Sequence, residues 1–429
     1  MSDRNYEFVV VGSGAGGATV AAELARRGRQ VLVVERGQRE RDLGRVWPAY
    51  KFYDTGALGI LPRKSIEGVI VWTARMAGGT TIVSCGNGVP CLQAELAALG
   101  ADVSAELAEV EAEMGVAPAC DELISDGAAH IGAAAQELGY RMVRMPKFIN
   151  AARCTKCAQC VLGCRCGAKW TALSFLDEAV SHGADTLYGT TVDEVIVEKS
   201  RACGLKVTGP DGLTEIRAGT VILAAGGLAS PVILQRAGLK DAGRGLFVDM
   251  FVNTYGVTRN ATLAFEPTMT LVDDEFRADR GFILSPFINP RRLVRWYELG
   301  LRGAMLPTRR LLGIMTKIND DPTGSVHADG RFSKAVTPSD RAKLDAGAAH
   351  SGRILTAAGA DPKSIVVTRV QGAHPGGTAA IGKVVDAQLQ TAVQGLYVCD
   401  ASVLPTSPGL PPIVTICALA RRLGKHLAA

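Results

Sequence analysis

The sequence predicts an α/β fold: a parallel-sheet domain assembled from separated stretches of chain, with a smaller α+β domain attached. Three observations point there. The first residues run strand, glycine turn, helix, strand within a short span. Glycine accounts for 49 of 429 residues, above the usual share of ~7%, which signals many tight turns or close backbone approaches. Hydrophobic residues at 47% and charged residues at 21% are ordinary for a globular chain and exclude disorder, collagen and coiled coil.

The opening unit carries the most local information. Glu7–Val11 is a short apolar strand, and Gly12-Ser-Gly14-Ala-Gly16-Gly17 fits G-x-G-x-x-G at Gly12, Gly14 and Gly17. Val20, Ala21, Leu24 and Ala25 then follow at helical spacing, and a second strand, Gln30–Val34, ends in Glu35. Gly12 permits the tight turn, Gly14 lets backbone approach a pyrophosphate, and Gly17 lets the helix pack on the sheet. The helix N-terminus offers unpaired N–H groups to phosphates. Glu35 is placed to accept from ribose hydroxyls. The segment fits a dinucleotide and does not by itself decide between NAD and FAD.

Further along, Ala94–Met114 and Gly127–Leu138 read as helices. So does Ile413–Leu427, which Pro411-Pro412 precede. Proline suits a first helical turn, where its missing N–H costs nothing. The net charge, +5 from 47 basic and 42 acidic residues, is too small to imply nucleic acid without a localised stripe. No apolar run reaches the ~18–20 residues of a membrane span, and the first residues lack a signal-peptide core. A cytoplasmic setting is expected.

The carboxy-terminal stretch reads His374-Pro-Gly-Gly-Thr-Ala-Ala-Ile-Gly382, then Tyr397-Val-Cys-Asp400-Ala-Ser-Val-Leu-Pro405, then Leu410-Pro-Pro-Ile-Val-Thr415. Gly78-Gly-Thr-Thr-Ile-Val-Ser-Cys-Gly-Asn87, Thr190-Thr-Val192 and Val221-Ile-Leu-Ala-Ala-Gly-Gly-Leu-Ala-Ser-Pro231 accompany it. Together these segments resemble the glucose–methanol–choline (GMC) flavin oxidoreductases. The resemblance implies a discontinuous, Rossmann-like FAD-binding domain (residues 1–100, 150–250 and 370–429) and a substrate domain (101–149 and 251–369). It implies FAD, an alcohol substrate, and hydride transfer to flavin with His374 as general base. It places Gly79, Thr80, Asn87, Val192, Asp400 and Pro412 against the cofactor, beside Gly12, Gly14, Gly17 and Glu35. One departure stands out: Pro411 occupies the position of the family's second catalytic His or Asn, and its side chain can neither donate nor accept a proton. Histidine itself is the side chain best suited to exchange a proton near neutral pH.

Eleven cysteines in a reducing compartment favour metal or redox chemistry over disulfides. Five fall between Cys154 and Cys166, and Cys154, Cys157, Cys160 and Cys164 give C-x2-C-x2-C-x3-C. The spacing suits thiolate ligation of a [4Fe–4S] cluster, with Cys166 as an alternative ligand. Structural zinc on four of the five and free buried thiols are the other readings. A cluster beside a flavin would convert hydride chemistry into one-electron transfer to a partner protein. The alternatives are an oxygen-using alcohol or sterol oxidase with a structural cysteine segment, and a flavin electron-transfer subunit.

Residues 289–312 hold Arg291, Arg292, Arg295, Arg302, Arg309 and Arg310 among Trp296, Tyr297, Leu299, Leu301, Met305, Leu306 and Leu311. This reads either as an interfacial segment for a membrane or acidic partner or as a solvated helix whose arginine stems cover apolar surface.

Overall fold

A computed structural model gives the fold, described here for residues 5–49, 51–55, 62–259, 261–263, 266–290, 294, 298–300, 306–307 and 310–429. Strand β1 (Tyr6–Val11) enters helix α1 (Ala15–Arg26) and then β2 (Val31–Glu35). β3 (Asp185–Tyr188), β4 (Thr191–Glu198), β5 (Arg201–Gly209) and β6 (Gly212–Leu223) complete the main run of the first sheet, in the order β3-β2-β1-β6-β5-β4. The short strand Leu396–Val398 pairs parallel to β6. β1 lies parallel between β2 and β6, with Val9 opposite Leu32 and Val221. Every residue of β2 is buried, as expected of a parallel strand covered on both faces.

A second sheet stands across from the first. Its core is β7 (Met250–Val257), β8 (Phe282–Pro286) and β9 (Leu311–Ile318), in the order β8-β9-β7. It continues through β10 (Gln371–Gly372) to Ile70–Val71 and Arg63–Lys64. It thus takes strands from stretches that the sequence assigns to the FAD-binding half. β7 and β9 are antiparallel, with Phe251 opposite Lys317, Asn253 opposite Met315 and Tyr255 opposite Gly313.

The expected helix over Ala94–Met114 is two helices, α2 (Gln93–Ala98) and α3 (Ser104–Met114). Gly100 takes φ +75° between them, and Asp102 accepts from the Ser104 N–H to start the second. Periodicity alone hid that break. α4 (Asp126–Glu137) is capped by Ser125. α5 (Pro338–Ala357) opens with a reciprocal Thr337–Asp340 capping box, which satisfies two otherwise unpaired N–H groups. α6 (Ile413–Ala428) follows Pro412 and packs on α1. Among the described residues no helix is long and apolar enough to cross a membrane.

Candidate active site

A cavity of about 490 Å³ lies between the sheets. Gly12, Gly14, Glu35, Gly79, Thr80, Asn87, Val192, Asp400 and Pro412 line it, as does His374. Gly17 does not line it. A β-carbon there would stand 1.9 Å from Gly12 O, so this glycine serves helix–strand packing. Gly12 has φ +96° and faces Ala224 O in the same way.

Gly14 is different. A β-carbon added there meets nothing nearer than Gly79 Cα at 3.9 Å. Packing does not require glycine, so its effect is to keep the backbone bare at the cavity wall, where α1 begins. That is the surface a pyrophosphate needs, and the residues present fit the ADP half of FAD.

Glu35 braces this turn. Its carboxylate accepts from the Ser13 N–H (3.0 Å), the Ser13 hydroxyl (2.7 Å) and the Gly37 N–H (2.7 Å). Asp400 works similarly, accepting from Gly226 N–H at 2.8 Å and Ser402 N–H at 2.7 Å. At the other end, Pro411, Pro412 and Ile413 bring the N-terminus of α6 to the cavity, adding partial positive charge there.

His374 sits among charged groups that the sequence did not announce. Its Nδ1 lies 2.9 Å from Asp249 Oδ2 and 2.8 Å from Lys317 Nζ. Lys317 is 3.1 Å from the same carboxylate oxygen. Ser407 Oγ (2.7 Å) and Gly409 N–H (3.1 Å) donate to Asp249 Oδ1. Asp249 is fully buried and Lys317 nearly so, whereas the imidazole keeps 22% of its surface. Burial pushes the Asp249 carboxyl up, but Lys317 and the bonds from His374 and Ser407 outweigh it, holding it below the ordinary carboxylate value. Burial, then the Lys317 charge, lower His374 despite Asp249. Burial likewise lowers Lys317. The imidazole is therefore neutral at pH 7. Asp249 and Lys317 both meet it at Nδ1, and Nε2 has no partner among the described residues. Lys317, not Pro411, supplies a second polar group here.

Behind Cys85 and Asn87 lie two buried lysines. Lys147 Nζ donates to Cys85 O (2.9 Å), Asn87 Oδ1 (2.5 Å) and Thr268 O (2.6 Å). Lys169 Nζ donates to Ile82 O (2.8 Å), Ser84 O (2.5 Å) and Cys160 O (3.0 Å). All six acceptors are neutral. Burial pulls the Lys147 ammonium down to about 8, and it also lowers Lys169, whose neighbouring thiols oppose the shift.

The cysteine segment is not gathered as its spacing suggests. Among the described residues no three His, Cys, Asp or Glu side chains are grouped to hold a metal ion. Cys154, Cys157, Cys160 and Cys164 therefore do not form the expected ligand set as placed. Cys160 faces the two buried lysines, while Cys164 turns to Cys166, with sulfurs 3.5 Å apart. Most of the arginines of 289–312, namely Arg291, Arg292, Arg295, Arg302 and Arg309, lie outside the described residues.

Comparison with known proteins bears on this geometry. Family models described as GMC oxidoreductase match residues 6–261 and 313–420. An uncharacterized GMC-type oxidoreductase of Mycobacterium tuberculosis is 30% identical over 515 residues, covering 99% of this chain and 76% of that protein. A long-chain-alcohol oxidase of Arabidopsis thaliana is 25% identical over 513 residues, covering 98% and 68% respectively. Pyridoxine 4-oxidase from Mesorbium loti shares the fold with a TM-score of 0.71 at 18% identity, over 98% of this chain and 99% of that one.

Proposed function

The chain belongs to the GMC oxidoreductase family, FAD-dependent enzymes acting on CH–OH groups, and from that premise we propose that it oxidises an alcohol with His374 as the base. The observation that carries this is the His374–Asp249–Lys317 cluster at the cavity wall. The alcohol and pyridoxine oxidases among its relatives support the substrate class.

FAD, when bound, supplies the acceptor for the carbinol hydride. The chain's own residues do the rest. Asp249 accepts the Nδ1 proton and so fixes the tautomer that leaves Nε2 free to take the hydroxyl proton. Lys317 balances the Asp249 charge on the Nδ1 side of the ring and so disfavours a protonated imidazole before the substrate arrives. The α6 N-terminus stabilises negative charge at its end of the cavity. Gly12 and Gly14 hold the phosphate turn open, while Gly79, Thr80, Asn87, Val192, Asp400 and Pro412 shape the remaining wall.

The test is anaerobic mixing of the flavin-loaded protein with primary and secondary alcohols. Flavin bleaching is expected, slowed at least about 100-fold by His374→Ala. Bleaching at an unchanged rate in that variant overturns the role of His374.

A second reading concerns the cysteines: that they close on iron and sulfide as a [4Fe–4S] cluster and serve a one-electron partner protein. Two observations favour it. Among the described residues Lys147 and Lys169 are buried ammonium groups whose hydrogen bonds all go to neutral oxygens, with Glu266 near Lys147, and an anionic cluster would add compensating charge. Lys156 and Ala158 take left-handed φ of 51° and 54° between the thiols, a backbone form that points N–H groups at anions. Iron and acid-labile sulfide in anaerobically purified protein are the expected result. Stoichiometric zinc, or peroxide release on aerobic turnover without iron, favours the oxidase reading instead.

A further inference from the structure

Resting on the alcohol-oxidation reading, we propose that the cavity holds a second polar subsite, centred on Glu298. The substrate is then an alcohol bearing another hydrogen-bond donor, with an apolar spacer between the two groups.

Glu298 lines the cavity and is only 7% exposed. Its Oε1 accepts from Asn253 Nδ2 (2.6 Å), Asn289 Nδ2 (2.9 Å) and Gln371 Nε2 (3.3 Å). Among the described residues its Oε2 accepts only from the Tyr255 hydroxyl, at 2.6 Å. Burial pushes the Glu298 carboxyl up, and the converging amide and phenol donors oppose that shift, each of them requiring an acceptor oxygen there. Oε2 retains room for one more donor, since a carboxylate has about four lone-pair sites. Asn253 Oδ1, buried next to it, has no partner among the described residues. A buried group of this kind with spare accepting capacity is costly unless something fills it.

The position of this subsite follows from strand register. Asp249, which touches His374, immediately precedes β7, and alternate residues Phe251, Asn253 and Tyr255 share one face of the strand. Phe251 is level with Lys317, Asn253 with Met315 and Tyr255 with Gly313. At ~3.4 Å per residue, Asn253 and Tyr255, two of the groups holding Glu298, stand ~7–14 Å along the sheet from Lys317, while Gln371 lies level with Phe251 on the next strand. Phe251, Met315, Met269 and Phe287 line the cavity too and offer only carbon and sulfur. The wall therefore reads proton acceptor, apolar stretch, second acceptor.

The experiment compares anaerobic flavin reduction by α,ω-diols and by primary alcohols of matched length, in the holoenzyme and in Glu298→Gln and Asn289→Ala. The expected result is a diol preference in second-order reduction rate of about tenfold or more at one range of lengths, collapsing toward unity in either variant. A diol-to-alcohol ratio of one at every length overturns the proposal while leaving alcohol oxidation in place. So does a preference that survives both variants. Reduction by no alcohol of any kind overturns the parent reading, and this one with it.

Discussion

Replacing Lys317 by methionine removes one charge from the pair that brackets His374. The ammonium is 2.8 Å from Nδ1 and the Asp249 oxygen 2.9 Å. With an effective dielectric constant of about 20, Coulomb's law gives ~6 kcal/mol of repulsion from the first and ~6 kcal/mol of attraction from the second on a protonated ring. The two nearly cancel, so burial keeps the imidazole neutral. In Lys317→Met the attraction stands alone and protonation becomes easier. If His374 is the base, as proposed, flavin reduction requires the neutral ring, and its acid limb moves to higher pH. About 1.4 kcal/mol, a quarter of the unbalanced interaction, lowers the neutral fraction tenfold wherever the ring is mostly protonated. Asp249→Asn has the opposite sign and moves the limb to lower pH, and the double variant returns it toward the parent. The assay is stopped-flow flavin reduction across pH in all four proteins. If the limb holds its place in Lys317→Met, or moves the same way in both single variants, the electrostatic account of His374 is wrong.

Gly14→Ala meets no protein atom nearer than 3.9 Å, so the fold should survive with an unchanged melting temperature in the flavin-free protein; titration should show FAD binding at least about tenfold weaker. Glu266, which accepts from the Ser125 N–H at 3.0 Å, is pushed up to about 7 by burial. A raised folded value means that its contribution is full in acid and lost as pH climbs from the ordinary carboxylate range through about 7. Urea unfolding should therefore show stability falling by a few kcal/mol between those limits, and a flatter profile in Glu266→Gln.

The amino-terminal unit was legible because its information is local: a turn that needs Gly12, a bare wall at Gly14 and an apolar strand on either side sit within a few dozen residues. The helix after Pro412 was legible for the same reason. The His374 cluster was not. Asp249 and Lys317 carry no motif. They meet because β7 and β9 pair in one register, and a shift of one residue would turn Lys317 to the other face. Glu298 was visible in the sequence only as the lone acid among arginines; its donors come from three separate stretches. In the cysteine segment the spacing was plain, but Cys160 lies beside Lys147 and Lys169, on either side of it in the chain, while Cys164 turns to Cys166, and spacing carries neither fact. The break at Gly100 escaped because apolar periodicity continues through it.

The second sheet borrows Arg63–Lys64, Ile70–Val71 and Gln371–Gly372 from stretches whose neighbours build the first. The molecule is laced rather than hinged. No single cut releases either half intact, so neither should be expressible alone as a folded fragment. The chain crosses between the two walls several times, so any movement of one relative to the other must be shared by all of the crossing segments. Insertions that enlarge or reshape the entrance are best tolerated in those loops, while the strands that carry Lys317 and Asp249 stay fixed in relation to each other.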